Sequence, residues 1–582
     1  MKQKLELREK LVLAMGTALT VGLPLVVDIG SAGPFRTPKS LLATVLWAAL
    51  AGLFLARPGW DAWCWPAVAG VTAGVVSSLA AGAPQGLLKL LPVLVASLGF
   101  FALRQLPEPG KERLARAVVL GGVLEALLAL AFYDPAARPG SWAALEQGQG
   151  RYLFLGTMGN PADVGVFLVL PTLIAASLAW AGKRRLLWAA AALLQAGVIL
   201  ATQTLSALGA LWVGLLFLAA AQLPANRRLR AAFALGLGLA LVLLTVAPVR
   251  QRILEAFQAA TRSGFAWVAS ARGAAWASAW GMFLAHPIFG VGFGQFEAHS
   301  FRFLAPEVLA ARGRVLGLET GFGEAHNELL QYLAETGAIG LLLLGGAIAL
   351  AWRNRKPKGT RLLPAPPFVA AMVVLAGFQF PLQLAAPAAQ WLGVAALLLP
   401  PLPSGQPRPL ARTVGALLCT AVSLLAWGQW RAWRAVQAAE VLVAGLRSQW
   451  TTERQKVVAA EGYRGLAAKL PWLPWQYRAE TVAGNLAREA GLWHAALNHF
   501  RAALALAERP ETRFNLGVTL LSLGHEQEGL QHLVRAVELN PAVLKVVEDP
   551  LLARKLRQSL AESGYFVRFP WAESWLSIPQ AP

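Results

Sequence analysis

Charge is scarce: 14% of the 582 residues are Asp, Glu, Lys or Arg, against roughly 25% in ordinary soluble domains. That deficit argues against a soluble multidomain enzyme. There are two cysteines, Cys64 and Cys419, both inside apolar runs, so neither a disulfide framework nor a thiolate metal site is on offer. A Walker-type nucleotide loop, a zinc-protease helix and an exposed Gly-x-Ser-x-Gly elbow are all missing, which sets aside the soluble-enzyme templates. Acidic residues are the scarcer sign of charge, 31 against 52 Lys and Arg, for a net +21. In a soluble protein that excess would suggest nucleic acid. Here the cations lie between long apolar runs, where positive charge sets membrane topology instead, and no nucleic-acid partner is expected. The Leu, Ala and Val content excludes disorder and collagen.

What is present is hydrophobic length. Thirteen apolar runs fall at about 11–30, 39–56, 62–81, 86–104, 115–132, 160–181, 186–202, 204–222, 231–248, 337–352, 365–382, 384–400 and 411–428, each near the length needed to cross ~30 Å of hydrocarbon. The fold expected is all-α, a polytopic membrane protein with about thirteen transmembrane helices. The first run follows Lys2, Lys4, Arg8 and Lys10 and reads as a retained signal anchor. With the N-terminus cytoplasmic, alternate loops carry 22 Lys and Arg and the short outer segments five, Arg36, Lys39, Lys89, Arg138 and Arg151. This bias predicts an inner-membrane protein with two large parts outside. One is the connection 249–335, within a membrane domain of residues 1–428; the other is the periplasmic domain 429–582.

The outer connection balances seven Arg with seven Glu and holds His286, His299 and His326, whereas no apolar run contains a histidine. Titratable chemistry is therefore concentrated on the outer face. Glu125 stands in mid-span without an obvious partner, where a carboxylate is costly and usually functional or paired. Asp28 and Asp163 lie near outer span ends, in reach of water. After Trp430 the composition becomes that of a soluble helical domain, and Gly491/Gly524, Phe500/Leu533 and Ala503/Ala536 recur at 33 residues. That is close to the 34-residue tetratricopeptide period and predicts a short helical repeat able to hold a protein partner, or a plain helical array capping the membrane part.

Three spaced motifs end the outer connection: His286-Pro287-Ile288-Phe289-Gly290-Val291-Gly292-Phe293-Gly294-Gln295-Phe296, then His326-Asn327-Glu328-Leu329-Leu330, then Glu335-Thr336-Gly337-Ala338-Ile339-Gly340. Upstream stand Gly156-Thr157-Met158-Gly159-Asn160-Pro161 and the pair Arg272 and Trp276. Together, over about residues 150–345, these resemble the signature region of the O-antigen ligase and polymerase superfamily of membrane glycosyltransferases. One departure is visible: where many members carry an Arg after the seventh span, this chain reads Ser206-Ala207-Leu208-Gly209, so a second phosphate-binding Arg must come from elsewhere.

The resemblance implies transfer of a glycan from an undecaprenyl-diphosphate carrier, without metal or cofactor, to an acceptor on the periplasmic face. The acceptor could be a second carrier-linked glycan, a lipid A core or a protein. Such a reaction needs a base or orienting group at the acceptor hydroxyl and cations at the departing diphosphate. His326 suits the first task. Arg272, then Arg302, Arg312, Arg314 and Arg151, suit the second because guanidinium binds phosphate oxygens in pairs, and Asn327 is a further substrate-binding candidate. Each has a structural alternative: a helix cap for His326 and Asn327, a turn for His286, a solvated pair for Arg312 and Arg314, a cation–π contact for Arg272, tight backbone packing for the three glycines, and a hairpin for Gln203-Thr204-Leu205-Ser206. The rival readings are a protein oligosaccharyltransferase, a transporter or flippase of lipid-linked glycans, and a scaffold. A transporter concentrates ionisable groups at mid-membrane, where this chain has only Glu125.

Overall fold

The computed structural model describes residues 6–28, 35–131, 153–181, 184–247, 271–304, 322–354, 363–406, 409–446, 452–470 and 476–576, with a few more between 249 and 258. Among them every regular element is helical. The membrane part contains α1 (Leu7–Thr17), α2 (Thr37–Leu55), α3 (Trp65–Ala80), α4 (Gln85–Arg104), α5 (Glu108–Leu130), α6 (Pro161–Ala181), α7 (Arg185–Ala201), α8 (Leu205–Gln222), α9 (Ala225–Thr245), α10 (Ala271–Ala285), α11 (Glu328–Arg353), α12 (Ala365–Phe378), α13 (Ala385–Leu398) and α14 (Pro409–Leu446). Among the described residues, seven helices are long and apolar enough to cross a membrane unaided; α7, α12 and α13 are shorter apolar helices.

Each of the thirteen runs overlaps a helix, but three depart from a simple span. The first ends early: α1 passes into a π turn, Ala18–Gly22, and a 3-10 turn, Leu23–Leu25. Pro24 has no N–H to give to the preceding turn, and the Thr20 carbonyl lies so near Gly121 of α5 that a Cβ there would meet it at 2.1 Å. The runs 365–382 and 384–400 contain helices of only 14 residues each, about 21 Å at ~1.5 Å per residue. Gln379 turns extended and Pro381 opens a 3-10 turn, leaving irregular backbone between them, a feature tolerated at membrane depth only where protein or a water-filled cavity surrounds it.

The buried centre is α6, with Val164, Phe167, Leu168, Leu170, Leu173 and Ile174 all buried and α5, α7, α8 and α13 packed around it. In lipid such packing rests on close van der Waals fit rather than on release of water. The α2–α14 crossing shows it: a Cβ on Gly52 would lie 3.2 Å from the Gly415 carbonyl oxygen.

Polar helix ends gather on two opposite faces. On one, Arg8 donates to the Leu53 carbonyl, Arg104 pairs with Asp61 and donates to the Pro400 carbonyl, and Lys111 caps Leu399 at 2.8 Å. On the other lie the starts of α2, α6, α8, α11 and α13.

The 38-residue α14 runs without a break from the membrane part into the C-terminal part. There α15 (Thr452–Ala467), α16 (Gln476–Glu489), α17 (Trp493–Leu506), α18 (Pro510–Ser522), α19 (Glu526–Leu539) and α20 (Pro550–Glu562) follow. The 33-residue spacing has a structural meaning: Gly491 and Gly524 take φ of +76° and +84° in the turns of the helix pairs α16–α17 and α18–α19, and Phe500 and Leu533 are both fully buried.

Candidate active site

The glycine-rich and Glu-Thr-Gly motifs lock into each other. Val291 N–H donates to the Ala334 carbonyl at 3.0 Å and Ala338 N–H to that of Pro287 at 2.9 Å. The Glu335 carboxylate accepts from the N–H groups of Gly294 (2.7 Å) and Phe296 (3.2 Å). From α3 and α4, Ser77 donates to the Glu335 carbonyl and Lys89 to that of Gly294. Side chains are excluded at the crossing: Gly290 and Gly337 have φ of +71° and +66°, and a Cβ on them would lie 2.4 Å from the Glu335 carbonyl carbon and 2.3 Å from the Ile288 carbonyl oxygen. These glycines serve backbone packing. His286 is exposed and shapes the turn, its carbonyl accepting from Gly290 N–H.

This lock breaks α11 at Gly337, and the turns before the break start just after His326 and Asn327. Asn327 is the N-cap: its Oδ1 accepts from Leu330 N–H at 2.9 Å, and its Nδ2 donates to the Gly377 carbonyl of α12 at 2.9 Å. Glu328 and Gln331 extend the clamp, Glu328 accepting from Leu382 N–H and Gln331 from Ala325 N–H. The result is that His326 is held at φ +54°, a left-handed conformation costly for a residue with a side chain. Its ring lies edge-on to Phe380 at 4.6 Å, and its buried Nδ1 has no hydrogen-bond partner among the described residues. Burial, with the nearby positive charges of Arg272 and Arg36, lowers its pKa to about 4, so the ring is neutral at pH 7.

Beside Phe380 opens a cavity of about 330 Å³. Arg36, the N-cap residue of α2, stands in its wall with the guanidinium 5.5 Å from the Phe380 ring centroid. It pairs with Glu324 (3.0 Å) and Asp163 (3.5 Å). Burial raises the pKa of Glu324, opposed by Arg36. Three helices start at this wall, α2, α6 and α13, and their N-terminal N–H groups and dipoles favour an anion. Beneath it, Lys39 donates to the carbonyls of Val26 and Thr157, both at 2.7 Å. Glu125 accepts from Thr157 N–H at 2.9 Å and from its hydroxyl. The buried carboxylate thus has its partner in the Gly-Thr-Met-Gly-Asn-Pro segment, and Gly156 and Gly159 of that segment take positive φ.

Of the residues expected at the site, His326 and Arg272 come together: α10 places Arg272 one turn before Trp276, which packs on Phe378 at 6.1 Å. Asn327 is nearby but occupied as a cap. Arg302 is elsewhere, paired at 3.4 Å with Glu508 of the C-terminal part. Arg151, Arg312 and Arg314 lie outside the described residues. Asp163, expected within reach of water, has a side chain only 5% exposed. Gln203, at φ +52°, makes the expected tight α7–α8 hairpin, and Ser206 accepts from Gln379 at 2.7 Å.

Residues 190–345 match the family model described as O-Antigen ligase, which supports the resemblance to the O-antigen ligase and polymerase superfamily. The match supports a membrane glycan-transfer function of ligase or polymerase type. No curated protein and no solved structure matches the chain.

Proposed function

We propose that the chain transfers a glycan from an undecaprenyl-diphosphate carrier to an acceptor hydroxyl at the periplasmic face, using the cavity beside His326. One observation carries the reading. A strained, neutral histidine inside the matched segment, its ring nitrogen without a partner among the described residues, packs on Phe380, whose ring also takes Arg36 from the wall of a cavity at three helix N-termini. A neutral imidazole accepts the acceptor's hydroxyl proton or orients that hydroxyl as its oxygen attacks the anomeric carbon. Arg36, Arg272 and the helix N-termini stabilise the diphosphate as the glycosidic bond breaks and charge passes to it. Asp163 and Glu324 hold Arg36 in position. The cations are side chains, so no divalent ion is needed.

The acceptor is a lipid A core or a second carrier-linked glycan, and the C-terminal helix pairs, read as tetratricopeptide-like, hold a protein or glycan beside it. The test uses purified full-length protein, a synthetic lipid-diphosphate glycan donor and excess chelator. The reading expects carrier release and a new glycosidic bond. Strict dependence on a divalent ion would remove the arginine-based account.

A further inference from the structure

A second cavity, about 380 Å³, lies where the segment after the glycine-rich motif meets the end of the C-terminal part. It shares no lining residue with the first. Phe301, Tyr565 and Phe569 give it an apolar wall, and Arg302, Arg535 and Arg568 stand around it. The charge balance there is uneven. Glu508 is shared by Arg302 (3.4 Å), Arg513 (2.7 Å) and Arg535 (3.3 Å), and Arg535 also reaches Glu538 at 3.0 Å. Arg568 makes no ion pair among the described residues; its guanidinium sits 5.1 Å from the Phe569 ring centroid. Three guanidinium groups and one carboxylate, Glu538, thus line the open volume.

We propose that this cavity binds a carboxylate-bearing saccharide unit of a glycan chain, at a subsite separate from the transfer centre. Guanidinium presents paired donors that match a carboxylate, while the aromatic wall accepts the apolar face of a sugar ring. The volume falls within the roughly 300–1,000 Å³ of small-molecule sites. The site also ties the C-terminal part to the motif segment. Glu297, one residue beyond the Phe296 whose N–H holds Glu335, accepts from Arg509, the N-cap residue of α18, at 2.6 Å and from the Tyr477 hydroxyl of α16 at 2.8 Å. The choice of a glycan ligand rests on the glycan-transfer reading; the anion-binding chemistry does not.

The experiment is calorimetric titration of the full chain in detergent, without donor, using hexagalacturonate, maltohexaose, a hexa-aspartate peptide and inorganic phosphate. Hexagalacturonate should bind, and maltohexaose at least ten times more weakly. Arg568→Gln, a change at an exposed side chain, should weaken the acidic sugar about tenfold, the scale of one charge-assisted hydrogen bond. Added salt should weaken it too. Equal binding of maltohexaose, or an affinity indifferent to Arg568→Gln, overturns the proposal. Hexa-aspartate binding as tightly with the same Arg568 dependence reassigns the cavity to an acidic peptide, and phosphate displacing the sugar at equal concentration reduces it to a simple anion site. Because no donor is present, failure here leaves the transferase reading standing, and inactivity in the transfer assay leaves this result standing.

Discussion

His326 carries two physical oddities, a left-handed backbone and a buried unpartnered nitrogen, and both have measurable consequences. His326→Ala should lower turnover by roughly 10²- to 10⁴-fold, the usual scale for a general base, with donor binding kept. Glu324→Gln frees Arg36 from one of its carboxylates and should act mainly through donor affinity. If Glu324→Gln costs more turnover than His326→Ala, the base is Glu324. The pH dependence follows from burial. With a folded pKa of about 4 for His326, transfer should stay level from pH 8 to about 5, and a titration centred near ~6.5, the unperturbed histidine value, would contradict the buried ring. His299, also lowered to about 4 chiefly by burial, adds to the same stability term. Unfolding frees both rings to take protons near ~6.5, so this contribution is fully present above that pH and is lost as pH falls through about 4. Thermal unfolding followed between pH 7 and 4 checks the sign. At this scale the sequence was partly legible. His326 and Arg272 stand in spaced motifs, but Arg36 sits alone in a short loop, where the sequence marks it only as topological charge. A signal was there: a cation at a helix start opposes the dipole and so asks for carboxylate partners, which Asp163 and Glu324 supply from 127 and 288 residues away.

The elements around the site work by interruption. α11 breaks at Gly337, α12 stops at Phe378 and α13 restarts at Ala385, and these irregular stretches position His326, Phe380 and the cavity wall. Hydropathy finds apolar length but is blind to such breaks, because Gln379 and Pro381 sit inside otherwise continuous runs. The glycine motif was legible as packing because three glycines in five residues have no catalytic atoms to offer. Its partner, Glu335, was not, since nothing in the spacing says that a carboxylate will be capped by N–H groups 41 residues earlier. Gly290→Ala and Gly337→Ala each add a Cβ at positive φ where backbone already stands within 2.6 Å. Each should cost about 1–3 kcal/mol, seen as a lower unfolding temperature in detergent, and should reduce transfer while leaving the C-terminal helices folded by circular dichroism. An unchanged melting temperature for both variants would show that the lock does not position α11.

Across the whole molecule, the uneven distribution of basic residues among the loops predicts the topology, because Lys and Arg are costly to carry across lipid. The contacts between Glu297, Tyr477 and Arg509 could not be read, because they join parts 180 to 212 residues apart. In a chain whose native Cys64 and Cys419 are replaced, Glu453→Cys should react with an impermeant thiol reagent added from the periplasmic side, and Arg116→Cys should not; the reverse pattern would invert the orientation. The central claim is that one cavity, walled by Arg36 and flanked by His326, breaks the bond between glycan and lipid diphosphate. Single-turnover transfer from a synthetic carrier-linked glycan, measured together with donor affinity for the parent chain, His326→Ala and Arg36→Gln, tests it most directly. The account predicts that His326→Ala binds donor normally yet slows transfer at least a hundredfold, while Arg36→Gln loses both donor affinity and rate. Near-normal single-turnover rates in both variants would contradict it.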